Sequence, residues 1–412
     1  MRARWFVCGL ITGVTLSALG SSAQAADVDV AYQKLRVFSQ VLTYVQQSYV
    51  DDVDPQELLY DAINGMLAHL DPHTTFLRPA EYEKLREDTA GEFGGLGIEV
   101  GILGEAKDAV VVVEDVHKDG PGAHAGLKVG DLILAVDGEN TRGTPLPYAV
   151  RLMRGVPGTR VVLTLSRAAW GKSRDVPLVR RQVRVPAVDH DVFEAPGAPF
   201  IGYVSISSFQ ERTDQELAAA IVDLRKQAQA RSLPGLSGLV LDLRDNPGGL
   251  LDEGVKVADR FLVSGTIVTT EGRSEKSAGR DLAHEEGTEP NYPVAVLVNG
   301  DTASASEIVA GALQDHKRAV IVGERSFGKG SVQTLFGLDD GAGLKLTIAR
   351  YFTPSGRSIQ DKGVVPDVVV RGVRDLPPSA RGSERVAVDP QLAAAVDQVR
   401  KAVLRPLAAQ QR

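Results

Sequence analysis

The chain is 412 residues long, 43% hydrophobic and 24% charged, which suits a folded protein of two or three domains and excludes a disordered or collagen-like one. Its formal charge is −7, from 46 basic and 53 acidic residues without a basic cluster, which argues against nucleic-acid binding by phosphate neutralisation. The single cysteine, Cys8, and seven histidines without a His-x-His or His-Glu-x-x-His pair leave no disulfide framework and no thiol nucleophile, and neither a metal nor another cofactor is expected.

Residues 1–25 read as a secretory signal: Arg2 and Arg4, an apolar stretch over 5–19, and a small-x-small cleavage site at Ala23-Gln24-Ala25. That stretch is shorter than the roughly 20 residues a membrane span requires. Export to a periplasmic or other extracytoplasmic compartment is expected, with an uncleaved membrane anchor as the alternative. Over 31–49, Leu35, Phe38, Val41, Leu42 and Val45 recur at helical spacing. Such a stripe packs on its own domain or on a second copy of the chain, and the first is favoured. A second helix is expected over 55–70, closed by the turn Asp71-Pro72-His73, so that 26–85 forms an N-terminal helical region.

Residues 86–170 change texture. Short β-branched runs at 98–100, 109–116, 132–136 and 161–165 alternate with glycine turns, and one short helix is expected over 147–153, making a small β-rich module. From residue 198 apolar strands alternate with helices, which implies an α/β core with a buried, largely parallel sheet over 171–372, to which 26–85 contributes. The stretch 273–291 is polar and reads as a loop. Residues 373–412 comprise a Pro/Arg/Ser-rich linker and a final helix over 389–404.

Three junctions of this core could carry chemistry. In the run 299–308, Ser304 stands between an apolar strand and a helix, where free backbone N–H groups favour developing negative charge. Ser304-x-x-Glu307 is equally a capping box, a purely structural pattern. His316 lies on the same helix about 18 Å further along, at ~1.5 Å per residue, and cannot serve as a base for Ser304. The segment 323–333 approaches a phosphate loop, but Gly330 occupies the place of the metal-binding hydroxyl and 331–336 alternates like a strand. A strand beginning near Lys329 turns Lys329, Ser331 and Gln333 to one face. As a base, Lys329 must lose its charge, a shift of some 3 units from ~10.4 that burial beside Phe327 and the sheet would supply. At 245–249, two glycines after Asn246-Pro247 would let a backbone N–H approach a substrate oxygen closely; an ordinary β–α turn has the same composition.

Taken together, Gly94-Gly95-Leu96-Gly97-Ile98, Leu241-Asp242-Leu243-Arg244-Asp245-Asn246-Pro247-Gly248-Gly249, Ser304-Ala305-Ser306-Glu307-Ile308, Gln314-Asp315, Phe327-Gly328-Lys329-Gly330-Ser331-Val332-Gln333 and Thr353-Pro354-Ser355-Gly356-Arg357-Ser358-Ile359-Gln360 resemble, in order and spacing, the carboxy-terminal processing (tail-specific) serine proteases. The resemblance runs from about residue 30 to 370. It implies a crotonase/ClpP-like α/β protease core with an inserted PDZ domain at 86–170. It also implies a dyad of Ser304 with Lys329, 25 positions on, in which Gln333 supports the lysine. The family's oxyanion donors map to Ala305 N–H and to a glycine of the Asn-Pro-Gly-Gly turn, taken as Gly248. Gly94, Gly95, Leu96 and Gly97 correspond to the loop that captures a C-terminal carboxylate. The partners implied are proteins or peptides with apolar C-termini, with an activating adaptor and a homo-oligomer left open. Arg154, just after the module's short helix, is a candidate for coupling tail binding to the protease core. Two rivals remain: a non-catalytic PDZ adaptor, and a PDZ-bearing Ser-His-Asp protease, for which no G-x-S-x-G elbow is present.

Overall fold

A computed structural model describes residues 15–104, 106–193, 199–273, 278–373 and 382–409. The chain divides into two units, residues 1–78 and 79–412. In the first, helix Thr15–Ser48 begins well before the expected residue 31, while positions 1–14 of the signal stretch lie outside the described residues. Its stripe, expected to pack within its own domain, is only partly covered: Leu35 is 59% exposed, Phe38 42% and Val41 54%, while Leu42 and Val45 are half-buried. Helix Pro55–Leu67 starts where the Asp54 carboxylate accepts the Gln56 N–H at 2.8 Å, with proline in the first turn. Asp71 closes the turn beyond it by accepting the His73 and Thr74 N–H groups at 2.8 and 2.9 Å.

The second unit opens with helix Pro79–Ala90, which buries no residue fully and therefore carries no 3.6-residue apolar period in its sequence. The β-rich module follows. Strands Ile98–Leu103, Val110–Val116, Leu132–Val136, Arg160–Ser166 and Arg174–Val179 lie side by side in that order, all antiparallel. The last strand extends the module past the expected boundary at 170, because Val176 and Leu178 turn inward onto its core. Helix Leu146–Met153 packs on the same core through Ala149 and Met153. A ribbon of Glu92–Gly95 with Arg181–Arg184 joins the module to the rest of the unit.

Beyond it, Ile201–Ile206, Gly238–Asp242, Val294–Val298 and Ala319–Gly323 form a parallel sheet, with Val188–Phe193 antiparallel at one edge and Val368–Val369 parallel at the other. These strands read as unbroken apolar runs because both faces are covered. Leu239, Leu241, Val296 and Val298 face helices Thr213–Ala230, Leu251–Asp259 and Ala305–Asp315. Val240, Ala295 and Leu297 face Leu392, Ala395 and Val396 of the final helix, Pro390–Ala409. Each fully buried Val or Leu contributes roughly 1.5–3 kcal/mol. A second sheet carries Ser331–Gly337 against Gly343–Phe352, and Gly343–Phe352 against Gly265–Gly272. Gly265–Gly272 in turn pairs with Gly279–Ala283, a strand inside the stretch expected to be loop. Linker residues 374–381 lie outside the described residues. No helix among the described residues is long and apolar enough to cross a membrane.

Candidate active site

Parallel strands Gly238–Asp242, Val294–Val298 and Ala319–Gly323 are neighbours, so the segments leaving their C-terminal ends converge, where open α/β sheets characteristically hold ligands. The first segment carries Asn246, the second Ser304, the third Lys329. Asn246 is fully buried and stitches the first two together. Its amide donates to the Ile206 carbonyl at 2.8 Å, and its own carbonyl accepts the Ala303 N–H at 3.0 Å and the Ser306 hydroxyl at 3.1 Å. Phe327 N–H to Thr302 O at 3.0 Å ties the second to the third.

Ser304 sits immediately before helix Ala305–Asp315 at φ 57°, ψ −118°, a conformation that costs a non-glycine residue about 1–3 kcal/mol and persists only when its surroundings over-determine it. Two groups do so. The Glu307 carboxylate accepts the Ser304 N–H at 2.9 Å, and the Tyr351 hydroxyl donates to the Ser304 carbonyl at 3.1 Å. Both also hold the lysine segment. Glu307 accepts N–H groups from Gly328 at 2.7 Å and Lys329 at 2.9 Å and the Ser326 hydroxyl at 2.6 Å, and Tyr351 donates to the Lys329 carbonyl. Burial pushes the Glu307 carboxyl above the usual carboxylate range, while these donors pull it the other way. Sequence reasoning found Glu307 only as a cap and missed Tyr351.

Ser304, Lys329, Ser331 and Gln333 line one open cleft of about 660 Å³, together with Gly248, Ala305 and Tyr351. The strand begins at Ser331 rather than Lys329 and its register shifts between Val332 and Gln333, so Val332 lines the cleft together with the three residues expected on one face. Desolvation by burial, then repulsion from Lys345, holds the Lys329 amine below the usual lysine range, with Glu307 opposing. Phe327 does not supply that burial, since its ring is 60% exposed. Lys329 Nζ makes no hydrogen bond among the described residues, and the Gln333 Nε2 and Ser331 Oγ atoms are buried without a partner. His316 is used elsewhere, its Nε2 lying 2.7 Å from the Thr266 carbonyl oxygen.

The expected oxyanion pair needs one correction. Gly248 packs against the serine, since a Cβ on it would lie 2.7 Å from Ser304 Cβ, and its φ of 99° suits glycine. Its N–H, however, donates to Asn246 Oδ1 at 2.8 Å. The N–H groups free of protein acceptors among the described residues are those of Gly249 and Ala305.

The expected carboxylate loop divides similarly. Gly94 and Gly95 are committed to the ribbon opposite Gln182 and Arg181. Leu96 and Gly97, at the start of edge strand Ile98–Leu103, have N–H groups without acceptors among the described residues, and Gly97 has φ 64°. Beside them Ile98, Val100, Leu146 and Val150 are half-buried on the module's core. Arg154 follows helix Leu146–Met153, lines the cleft of Ser304 and stacks on Phe93 with its guanidinium carbon 4.0 Å from the ring centroid.

Residues 200–370 match peptidase family S41, 112–167 match the PDZ domain, and 13–79 match the N-terminal domain of the activating protease CtpB. The carboxy-terminal-processing protease of Bartonella bacilliformis is 42% identical over 378 residues, covering 92% of this chain and 84% of that protein. The chain belongs to peptidase family S41. The carboxyl-terminal-processing protease of Synechocystis is 39% identical over 316 residues, 76% of this chain and 71% of its own length. A solved structure from Bacteroides fragilis, named as an S41 protease, shares the fold at 17% identity and a TM-score of 0.50, over 87% of this chain and 96% of that one. This S41 chain is thus a carboxyl-terminal-processing serine peptidase with a PDZ domain.

Proposed function

We propose that Ser304 and Lys329 form the catalytic dyad of this peptidase and that the PDZ module delivers the C-terminal tails of its protein substrates. The observation that carries the reading is the shared anchoring of the two residues: one carboxylate, Glu307, accepts the backbone N–H of both, and both side chains line the same cleft. The neutral Lys329 amine takes the Ser304 proton as Oγ bonds to the substrate carbonyl carbon. It then passes that proton to the leaving amine as the C–N bond breaks. Water, deprotonated by the same amine, next releases the acyl group from Ser304. Gln333 orients the amine. Ala305 N–H and a glycine N–H of the 246–249 turn hold the oxyanion, Gly249 being the free one and Gly248 joining only if it leaves Asn246.

The reading of tail capture rests on the free Leu96 and Gly97 N–H groups at the head of an edge strand: they donate to the carboxylate while the tail adds as a further strand, its last apolar side chain entering beside Ile98 and Val150. Arg154 couples that event to the cleft. Removal of residues 1–25 would release the enzyme outside the cytoplasm, and the exposed Leu35, Phe38 and Val41 of helix Thr15–Ser48 would pair with a second copy or an activating adaptor. The absence of any histidine from the described cleft lining favours Lys329 over a Ser-His-Asp arrangement.

The test is cleavage of an unfolded protein ending in an apolar tail, read by mass spectrometry. Wild-type chain should yield fragments, Ser304→Ala and Lys329→Ala none, and amidation of the tail should slow the reaction. Undiminished turnover by folded Lys329→Ala removes the dyad.

A further inference from the structure

Ser331 is 8% exposed, and its hydroxyl is buried without a hydrogen-bond partner on the wall of the Ser304 cleft. An orphaned buried hydroxyl costs about 1–3 kcal/mol relative to a satisfied one, so an enclosed polar group with nothing to bind is a feature to be explained. Two positions to either side stand Lys329, whose amine makes no hydrogen bond among the described residues, and Gln333, which lines the same cleft with its Nε2 buried and unpartnered.

The chemistry of a lysine base gives the Ser331 oxygen and the Lys329 amine a use for each other. A neutral amine has one lone pair and two N–H bonds. To aim the lone pair at the Ser304 hydroxyl, both N–H bonds need acceptors on the far side, and one glutamine oxygen supplies one. We infer that Ser331 is a second positioning residue for Lys329, its Oγ accepting one amine N–H while the Gln333 Oε1 accepts the other. Once the proton has moved, the same two oxygens and Ser304 Oγ satisfy the three N–H bonds of the ammonium. The inference rests on the dyad reading above. The other charged or titratable groups about the lysine are Lys345, Glu307, Tyr351, Arg154, Glu87 and Asp88, and none of them is replaced in the test.

Removing the Ser331 oxygen takes an acceptor from the charged amine, so the lysine should lose its proton more readily while its lone pair points less well. The experiment measures kcat and KM across pH for wild type, Ser331→Ala, Ser331→Thr and Lys329→Ala, using the full chain and an unfolded protein with an apolar tail. Thermal unfolding is followed in parallel. Ser331→Ala should lower kcat roughly tenfold with KM little changed, a fraction of what a positioned acid–base group supplies. The acidic limb of its kcat/KM profile should move to lower pH. Ser331→Thr, which keeps the hydroxyl on a strand, should recover most of kcat. The unfolding temperature of Ser331→Ala should hold or rise, since an unpaired hydroxyl has been removed. A Ser331→Ala chain with wild-type kcat and an unmoved limb overturns the inference, as does a loss shared equally by Ser331→Thr and tracking a fall in stability. The dyad reading fails differently, by persistent turnover in Lys329→Ala.

Discussion

The Glu307 carboxylate accepts the backbone N–H of Lys329 at 2.9 Å with Oε2, the oxygen that also accepts the Ser304 N–H. A side chain on the serine's helix thereby sets the distance between two segments 25 residues apart in the chain. Replacing it with glutamine puts an N–H₂ group where a carboxylate oxygen accepted, opposing donors to donors in a fully buried site. Each donor left unpaired there costs about 1–3 kcal/mol. Glu307→Gln should therefore lower the unfolding free energy by about 2 kcal/mol or more. Peptidase activity should fall by over tenfold even where the chain remains folded, as chemical denaturation and a cleavage assay at the same temperature would show.

How far the site is legible in the sequence depends on the range of the contacts that build it. Ser304 is readable because an apolar strand, a short turn and a helix lie side by side in the chain, and Lys329 because its strand follows at once. Tyr351 is not, since its bond to Ser304 spans 47 positions and nothing in the alternation of its strand marks it. Gly248 is legible as a glycine of a close-approach turn but not as a residue whose N–H is already engaged, which depends on how the Asn246 amide is turned. Phe327 misleads for a related reason: an aromatic beside a glycine in a loop has no periodicity to tell inside from outside, and it faces solvent. Helix Pro79–Ala90 and strand Gly279–Ala283 escape because they are polar and only partly covered.

Lys345 lies on the strand paired with that of Gln333, and its charge is the second cause, after burial, that holds the Lys329 amine low. In the proposed dyad only the neutral amine can accept the serine proton, so activity should be present above the lysine pKa and lost as pH falls through it. Lys345→Gln removes a like charge, the Lys329 pKa rises, and the acidic limb should move to higher pH. At a pH just above the wild-type limb the variant should be several-fold slower, with the difference vanishing at alkaline pH. An unmoved limb in the kcat/KM profile would show that the titrating group is not Lys329.

Arg154 connects the module to the cleft through its stacking on Phe93, in the ribbon that leads into the module. Cation–π contacts of this kind contribute about 0.5–2 kcal/mol. Arg154→Ala should leave the binding of a fluorescent apolar tail peptide to the chain unchanged, because the free N–H groups of Leu96 and Gly97 are untouched. Cleavage of tailed substrates should nevertheless fall roughly tenfold, the equivalent of about 1.4 kcal/mol of lost coupling. Equal loss of peptide affinity and of cleavage would make Arg154 a binding residue instead.

Asp389 anchors the final helix to the catalytic sheet from the side opposite the cleft. Arg244 reaches it at 2.8 Å while also meeting Asp242 at 2.6 Å, and both carboxylates are almost fully buried. Desolvation works against the Arg244 charge, but the carboxylates Asp242 and Asp389 more than offset it and raise its pKa. Tyr203 donates to the same Asp242, which extends the network to the neighbouring strand. Arg244 stands one residue before the 245–249 turn, so its anchorage fixes the segment that carries the proposed oxyanion glycines. Asp389→Ala strips one partner from a buried cation, a change that costs about 3–5 kcal/mol in such pairs. The unfolding midpoint in denaturant should drop accordingly. Activity below that midpoint should fall as well, because the turn shifts with Arg244. A stable, fully active Asp389→Ala chain would show that helix Pro390–Ala409 is held by its apolar face alone.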